Sequence, residues 1–501
     1  MSERYVCIHG HFYQPPRENP WLDDVDVEPS AHPFHDWNQR VTAECYRPNA
    51  FVRILDGESP VERIVNNYAR ISFNFGPTLL TWMQCHTPDV YEAVIAADHE
   101  SRDRFSGHGS GIAQGYGHAI LPLTNDRDRR TQVLWGLRDF EHRFGRRPEG
   151  MWLPETAVDT PCLETLAEQG IAFTILAPHQ AKRIRPLKGK PGGWQDVPDQ
   201  SVDPRRAYRV NLPSGRSIAV FFYNGPLSRA VAFEQLLSNG DDFAWRLIEA
   251  LGDGDDTYLS HIATDGETYG HHQRHGDVTL AYTLDQIESE AGARLTNYGE
   301  YLERHPPHYE AEIVEDSSWS CAHGIERWRS DCGCNTGAHE GWNQGWRAPL
   351  RQSLDWLRDE LANRYDAVAA PILLDPWAAR DAYIDLILDR SPEREAAVLW
   401  EQAGRDLDDF ERASAIQLLE MQRQALLMYA SCAWFFDDVG GIETGQVLMH
   451  AGRAMQLLQE ATGEDLEPVF LERLAAARSN AEDVSDGASV YKRVVGPWRG
   501  R

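Results

Sequence analysis

Short apolar runs alternate with longer amphipathic stretches from the start of the chain to about residue 325. The runs have the length and the β-branched or aromatic content of strands, and the stretches between them have helical periodicity. A chain that alternates in this way is predicted to form an α/β domain with a mostly parallel sheet, which is open or closed into a barrel. The runs read YVCIHG, ISFNF, GMWLPE, AFTILAP, IAVFFYN and YLSHIATD.

The pattern changes near residue 345, where strand-like runs give way to helical periodicity alone. We therefore predict two domains. Residues 1–345 form the α/β domain, with a Gly- and Pro-rich insertion around residues 186–216. Residues 346–501 form a helical domain that packs on it. The helical stretches include LRQSLDWLRDELANRY, ASAIQLLEMQRQALLMYASCAWFF and TGQVLMHAGRAMQLLQEA.

The charge of the chain limits its partners. A formal net charge of −28 repels polyanions, which excludes nucleic acid and anionic membranes and favours a neutral substrate. The N-terminal stretch lacks the apolar core of about 7–15 residues found in secretory signals, and no run approaches the roughly 20 residues of a membrane span. The eight cysteines are scattered, unlike a secreted disulfide framework. We expect a cytoplasmic protein with reduced thiols and no cofactor.

The candidate catalytic residues stand where strands end. His9 and His11 follow the first strand, Glu155 ends GMWLPE, and Asp265 ends YLSHIATD. Because the carboxyl ends of parallel strands form the active-site face of such domains, these residues can converge. Taken singly, Glu155 also suits a helix cap and Asp265 a turn. Together, two isolated acids suit glycoside hydrolysis, in which one attacks the sugar and the other protonates the leaving oxygen.

Tryptophan is abundant, with sixteen residues, and several of them, including Trp319, fall in loops. Sugar rings stack on flat apolar faces of this kind, although most tryptophans pack in a core. Trp152 stands three residues before Glu155 and provides an apolar wall for that acid. The aromatic content therefore favours a carbohydrate substrate.

Five sequence motifs, and the order in which they occur, resemble those of glycoside hydrolase family 57. The resemblance extends over most of the chain. Two further stretches resemble the subgroup with an extra domain of unknown function, SSWSCAHGIERWRSDCGC at 317–334 and YASCAWFFDDVGGIET at 429–444. The five motifs are HGHFYQPP at 9–16, ISFNFGPTLL at 71–80, GYGHAILPL at 115–123, GMWLPE at 150–155 and ATDGETYGHH at 263–272.

The resemblance implies an incomplete (β/α)7 barrel followed by a helical domain. It also implies a retaining hydrolase or transglycosylase that acts on α-glucans such as amylose, glycogen or maltooligosaccharides. By motif match, Glu155 is the nucleophile and Asp265 the general acid/base, while His11, Gln14 and His118 bind the sugar. One position departs from the pattern, because many members carry a Glu where this chain has Ser110.

Further residues near these motifs are candidate substrate contacts. From the helical domain, we expect Trp434 to stack on a sugar and Asp437 to bond to hydroxyls, with a packed junction as the alternative. Three consecutive aromatic residues, 434–436, cannot all face one side of a helix, so at least one should remain exposed. The candidates in the first domain are His9, Trp152, Glu267, His271 and Trp319.

Two other classes of protein remain open. A zinc-dependent amidohydrolase or deacetylase could use His9, His11, His118 and Asp265 as ligands, with more histidines in HHQRH at 271–275. That interpretation leaves Glu155 and the QPP segment without a role. A non-catalytic glycan-binding protein is the other alternative, and the presence of both acids argues against it.

A separate group of residues, Cys321, His323, Cys332 and Cys334, is of zinc-binding type, but its spacing is not that of a standard finger. We predict that these cysteines are reduced, bind no metal and support a loop near the active site. A zinc cluster is kept as the alternative.

Overall fold

The computed structural model describes residues 4–54, 63–187, 192–252, 258–289 and 293–498. The chain forms two compact units, each assembled from separate stretches. The first unit comprises Met1–Gln14, Val27–Gln114 and Arg143–Trp319, and the second comprises Pro15–Asp26, Gly115–His142 and Ser320–Arg501. The main segment of the second unit therefore begins before the predicted boundary at residue 345. The second unit also includes two earlier segments that the sequence pattern assigned to the first domain.

The described strands belong to the first unit, except for a short pair, β2 and β3, in the second. They are β1 (Arg4–Phe12), β2 (Glu18–Asn19), β3 (Asp24–Val25), β4 (Val52–Ile54), β5 (Arg63–Val65), β6 (Ser72–Phe75), β7 (Ala113–Gln114), β8 (Met151–Trp152), β9 (Phe173–Leu176), β10 (Ala181–Pro186), β11 (Gln195–Asp196), β12 (Ala207–Asn211), β13 (Ser217–Phe222), β14 (Tyr258–Asp265), β15 (Arg294–Leu295) and β16 (Tyr309–Ile313).

Parallel pairing dominates the centre of the first unit. Strand β1 lies between β14 and β6, parallel to both, and β15 adds a short parallel contact. Strand β7 pairs in parallel with β8, and β9 with β13. Single parallel bridges, Phe73 to Gly111 and Gly150 to Phe173, connect β6 with the segment before β7, and the segment before β8 with β9. These strands therefore run in one direction, and β1 is buried along almost its whole length.

The segment around residues 186–216 contributes to a mixed sheet. Strand β10, just before it, pairs antiparallel with β11 and β16, and β12 forms an antiparallel hairpin with β13. Residues 188–191 of this segment lie outside the described residues. Strand β13 of this hairpin pairs with β9, so the insertion extends the sheet of the first unit.

The helices of the first unit alternate with its strands, and the second unit is mainly helical. The described α-helices are α1 (Trp37–Val41), α2 (Arg47–Ala50), α3 (Pro77–His86), α4 (Pro88–Arg104), α5 (Asp126–Phe144), α6 (Thr160–Glu168), α7 (Gly225–Phe233), α8 (Gly240–Glu249), α9 (Gly276–Ser289), α10 (Tyr298–Arg304), α11 (Arg347–Ala369), α12 (Pro376–Ala382), α13 (Ile384–Leu388), α14 (Pro392–Ala403), α15 (Asp409–Leu427), α16 (Cys432–Phe435), α17 (Ile442–Thr462), α18 (Glu467–Leu474) and α19 (Gly487–Val495).

The long helices of the second unit have clear start and stop signals. Asp408 and Glu411 form a reciprocal capping box at the start of α15. Helix α17 ends at Gly463, whose φ of +77° is the left-handed conformation that glycine adopts readily. The two helices pack on each other through apolar faces. None of the described helices combines the length and the apolar content that crossing a membrane requires.

Gly266 is required for close packing rather than for an unusual turn. A Cβ atom placed on Gly266 would lie 2.3 Å from the ring of Phe12. That ring is fully buried and stacks on Phe75 with the ring centroids 4.8 Å apart, so it has no room to move. The absent side chain of Gly266 therefore lets the end of β14, with Asp265, lie directly against β1.

We predict that Gly266→Ala lowers the free energy of unfolding by about 1–3 kcal/mol, the usual range for an overpacked core. Thermal unfolding followed by circular dichroism measures the effect as a lower Tm. Gly193→Ala is the matched control, because a Cβ at Gly193 meets nothing within 4 Å. Equal Tm values for the two variants would show that Phe12 does not restrict this position.

Candidate functional site

Asp265 is the last residue of β14, and it is paired in register with His11 of β1. Burial and, second, the negative charge of Glu155 raise the pKa of Asp265 from 3.8 to about 7. The residue is nevertheless exposed to water. A raised pKa and an exposed residue occur together where protein surrounds a carboxyl group in an open cleft.

Glu155 is held in a strained turn. It follows β8 in the 3-10 turn Pro154–Thr156, where Glu155 and Thr156 both have positive φ angles, +57° and +49°. Such angles cost non-glycine residues of the order of 1–3 kcal/mol and persist only where the surroundings enforce them. Buried Gln180 does so, because its Nε2 donates to Thr156 O at 2.8 Å and its Oε1 accepts from Thr156 Oγ1 at 2.9 Å.

Trp319 binds both the backbone and the side chain of Glu155. Its indole Nε1 donates to Glu155 Oε2 at 3.0 Å, and its backbone N–H donates to Glu155 O at 3.1 Å. The Trp319 ring packs edge-on against Trp152, with the centroids 5.0 Å apart, and lies near His11. The half-buried Trp319 therefore orients the carboxylate and forms one wall beside it.

Two histidines stack against Trp152 behind this wall. The His9 and His11 rings lie 4.9 and 5.0 Å from the Trp152 ring, nearly parallel to it. His9 and Trp152 are fully buried and pack against each other, and a direct contact of either residue with substrate stays a prediction. His11 is 4% exposed and lies at the strand end next to Asp265.

An amide network sets the tautomers of these histidines. Asn74 Oδ1 bonds to His9 Nε2 at 3.1 Å, while Asn74 Nδ2 donates to His11 Nδ1 at 2.9 Å and to Gln114 Oε1 at 2.7 Å. His11 therefore carries its proton on Nε2, as assigned from this network. Burial lowers the pKa of both imidazoles to about 3, so they are neutral.

The network also bears on the alternative of a zinc hydrolase. His9 uses both ring nitrogens, because its Nδ1 bonds to Ser72 Oγ at 2.9 Å. Among the residues that the structure describes, His9, His11 and Asp265 do not form a cluster of three ligand atoms. The histidine pair lies within β1, not after it as the sequence pattern predicted, and is arranged for hydrogen bonding.

Glu267 belongs to the fifth motif and forms a hydrogen bond with Tyr13 of the first motif. It accepts hydrogen bonds from the backbone N of Tyr13 at 2.9 Å and from Tyr46 Oη at 2.6 Å. Burial raises the pKa of Glu267 to about 8. Gln14 hydrogen-bonds to Tyr46 as well. His271 has a different environment, since its Nδ1 pairs with Glu44 and its ring meets Trp37 edge-on.

The candidates from the second unit are engaged in its own packing. Trp434 is fully buried, donates from Nε1 to Arg347 O at 3.2 Å and lies 4.2 Å below the Arg351 guanidinium. The ring is therefore enclosed by residues of the second unit, and its stacking on a sugar stays a prediction. Phe436, which follows the end of α16, is the neighbouring aromatic residue that stays exposed.

The polar candidates of the second unit also have protein partners. Asp437 accepts hydrogen bonds from the backbone N and the hydroxyl of Thr336, which anchors a loop. His118 is buried, has a φ of +54° and bonds through Nδ1 to Ser431 Oγ at 2.7 Å. A substrate contact of either residue stays a prediction.

Sequence reasoning missed Ser72, Asn74 and Gln114. A signal was present, because His9 and His11 are two residues apart on β1 and Ser72 and Asn74 are two apart on β6. Adjacent parallel strands bring such pairs onto one face, and the register joins His9 to Ser72 and His11 to Asn74. Gln114 directly precedes the third motif.

Two family models match this chain, one in each part of the sequence. Residues 104–314 match the model of glycosyl hydrolase family 57, and residues 342–500 match a domain of unknown function (DUF3536). An alpha-amylase of Pyrococcus furiosus is 22% identical over 261 residues, which cover 50% of this chain and 36% of that protein. Alpha-amylase 1 of Dictyoglomus thermophilum is 28% identical over 106 residues, 21% of this chain and 15% of that protein. The chain thus spans well under half the length of these relatives.

Solved structures share the fold at low sequence identity. An exo-type maltose-forming amylase from Pyrococcus sp. ST04 aligns with a TM-score of 0.71 at 14% identity, covering 99% of this chain and 92% of the other. A family 57 branching enzyme from Thermococcus kodakaraensis aligns with a TM-score of 0.58 at 15% identity, covering 94% of each chain.

The chain therefore shares its fold with these enzymes. Its residues 104–314 match glycosyl hydrolase family 57 and its residues 342–500 match the additional domain of unknown function, which confirms the resemblance drawn from the motifs.

We predict that Gln180→Leu lowers the free energy of unfolding by at least about 2 kcal/mol, because Thr156 O, Thr156 Oγ1 and the Ala177 N–H lose a buried partner at a cost of about 1–3 kcal/mol each. Chemical denaturation compared with the wild type gives the difference. Gln195→Leu, at an exposed position, is the control. If both variants unfold like the wild type, Gln180 does not hold the Glu155 turn.

Proposed function

We propose that the chain is a retaining enzyme that acts on α-glucans by hydrolysis or by transfer, with Glu155 as nucleophile and Asp265 as general acid/base. The observation that carries the proposal is the coupling of the two acids, in which the charge of Glu155 adds to burial in raising the pKa of Asp265. A proton donor and a carboxylate at one site are what a retaining glycosidase needs.

The reaction has two halves. In the first, the ionised Glu155 carboxylate attacks the anomeric carbon, the glycosidic bond breaks, and protonated Asp265 gives its proton to the departing oxygen. In the second, Asp265 takes a proton from water or from a sugar hydroxyl, which then displaces Glu155 from the anomeric carbon. Hydrolysis and transfer differ only in that acceptor.

The same electrostatic coupling supports the change of role. While Glu155 is ionised, its charge favours the protonated form of Asp265, as the first half requires. When Glu155 becomes an ester, that charge is gone and the pKa of Asp265 falls. Asp265 then remains a carboxylate and serves as the base of the second half.

The surrounding residues suit a neutral, hydroxyl-rich ligand. His11 carries a proton on Nε2 and is neutral, so it can donate to a sugar oxygen without adding charge. Gln114 Nε2 and Trp152 Nε1 are buried donors without a partner among the described residues. Trp319 adds an apolar face that is only half-buried.

We infer α-glucan as the substrate class from the relatives, since the aligned proteins are named as amylases, a branching enzyme and a 4-alpha-glucanotransferase.

The parallel succession of strands supports an incomplete (β/α)7 barrel for the first unit. Eight cysteines without a disulfide support a reducing, cytoplasmic location. Analysis of products from amylose and maltooligosaccharides separates hydrolysis from transfer or branching.

Substitution of the two acids tests their roles. We expect Glu155→Gln to abolish turnover of every substrate, because the amide cannot form the covalent intermediate. We expect Asp265→Asn to lose turnover of glucans but to retain the first step with an activated aryl α-glucoside, whose leaving group needs no proton. A burst of released aryl alcohol measures that step.

The controls are Glu168→Gln and Asp103→Asn, which neutralise exposed carboxylates on α6 and α4. Both should turn over glucans like the wild type. Turnover of glucans by Glu155→Gln at the rate of its control would refute the assignment of the nucleophile. An equal loss of both substrates in Asp265→Asn would refute that of the acid/base.

A further inference from the structure

Residues 320–346 form a long connection in the second unit with little regular structure. The 3-10 turn Glu326–Trp328 is its one helical element before α11 begins at Arg347. A loop of this length inside a compact unit needs contacts that hold it in one conformation. Four side chains in the loop meet at one point, with ligand atoms that all lie within 4.8 Å of one another: Cys321, His323, Cys332 and Cys334.

Three of the distances between these atoms match those of a tetrahedral metal site. Zinc binds sulfur at about 2.3 Å and imidazole nitrogen at about 2.0–2.1 Å, so tetrahedral angles put two sulfurs about 3.8 Å apart and a sulfur about 3.6 Å from a nitrogen. Cys321 Sγ lies 3.9 Å from Cys332 Sγ and 3.8 Å from Cys334 Sγ. Cys334 Sγ lies 3.5 Å from His323 Nδ1. A disulfide, at about 2.05 Å, is not formed.

The backbone is shaped for this convergence. Gly333 separates Cys332 from Cys334 and has a φ of +79°, in the left-handed region. A Cβ at Gly333 would meet nothing within 4 Å, so the backbone angle, not a lack of space, favours glycine here. The turn allows both thiols to face Cys321.

A buried cation beside the cluster is the second observation. Arg347 is fully buried and donates to backbone carbonyl groups, and the carboxylate that interacts with its charge, Asp437, forms neither an ion pair nor a hydrogen bond with it in the described part of the chain. Its Nη1 lies 3.9 Å from Cys332 Sγ and donates to Cys334 O at 2.8 Å. A buried charge without an opposite charge in direct contact is costly. Zn²⁺ with three thiolates and one neutral imidazole carries a net charge of −1, which neutralises Arg347.

We propose that Cys321, His323, Cys332 and Cys334 bind one structural zinc ion in the second unit. The four protein ligands fill a tetrahedral shell, so the ion has no open position for substrate or water and acts by cross-linking the loop. Arg347 donates to the ligand Cys332 and to the loop backbone, as outer partners of zinc sites do. The site is independent of Glu155 and Asp265 and of the function proposed for them.

Metal analysis of the intact protein, produced without a metal-affinity tag, tests the site. We expect about one zinc ion per chain, and less than about 0.2 in Cys332→Ser and in Cys334→Ser. Cys85→Ser removes an exposed thiol outside the cluster and should keep its zinc. Removal of zinc with a chelator should lower Tm by more than about 5 °C, and added zinc should restore it.

Cobalt exchange into the wild type provides a measurement that needs no variant. Co²⁺ in the same place should give the visible bands of a tetrahedral ion and thiolate charge-transfer bands in the near ultraviolet. Folded wild type without zinc, iron in its place, a disulfide among Cys321, Cys332 and Cys334, or full zinc content in both serine variants would each overturn the proposal.

Discussion

Two carboxyl groups that share a site cannot both ionise without a cost in free energy. The repulsion between Glu155 and Asp265 is the interaction on which the rest of the candidate site depends. The coupling depends on where the two carboxyl groups are held, and packing restricts both of them. Gly266 lets Phe12 press against the end of β14, while Gln180 and Trp319 hold the strained turn of Glu155. Small changes in these supports would alter the electrostatics of the pair.

The neighbouring histidines show a second use of burial. A cationic imidazole beside the pair would favour the ionised form of Asp265. Instead, burial keeps His9 and His11 neutral, and Asn74 directs the His11 proton to Nε2. The first unit thus supplies hydrogen-bond donors without positive charge, which leaves the two carboxyl groups as the main determinants of the local field.

Much of the candidate site could be predicted because strand ends are visible in the sequence. The apolar runs predicted the end of β14 at Asp265, whereas β1 continues through His9 and His11 to Phe12 and β8 ends at Trp152. Parallel pairing brings His11 next to Asp265. The amide network required the register between β1 and β6, which no single run encodes. Helical periodicity could not show which neighbours cover the Trp434 ring, and in the structure the Arg351 guanidinium lies over it. The cysteines were judged by their spacing in sequence, whereas the loop brings them together in space. The two early segments of the second unit could not be predicted, because no periodicity in the sequence distinguishes them from the first unit.

The pH dependence of kcat/KM on a maltooligosaccharide tests the central claim most directly. Protonated Asp265 is the active form in the first step, so activity should be present below and lost above an apparent pKa within about one unit of 7. With an activated aryl α-glucoside and Asp265→Asn, this basic limb should disappear. A basic limb that persists in the variant, or a wild-type profile that stays flat up to pH 9, would contradict the coupling of Glu155 and Asp265.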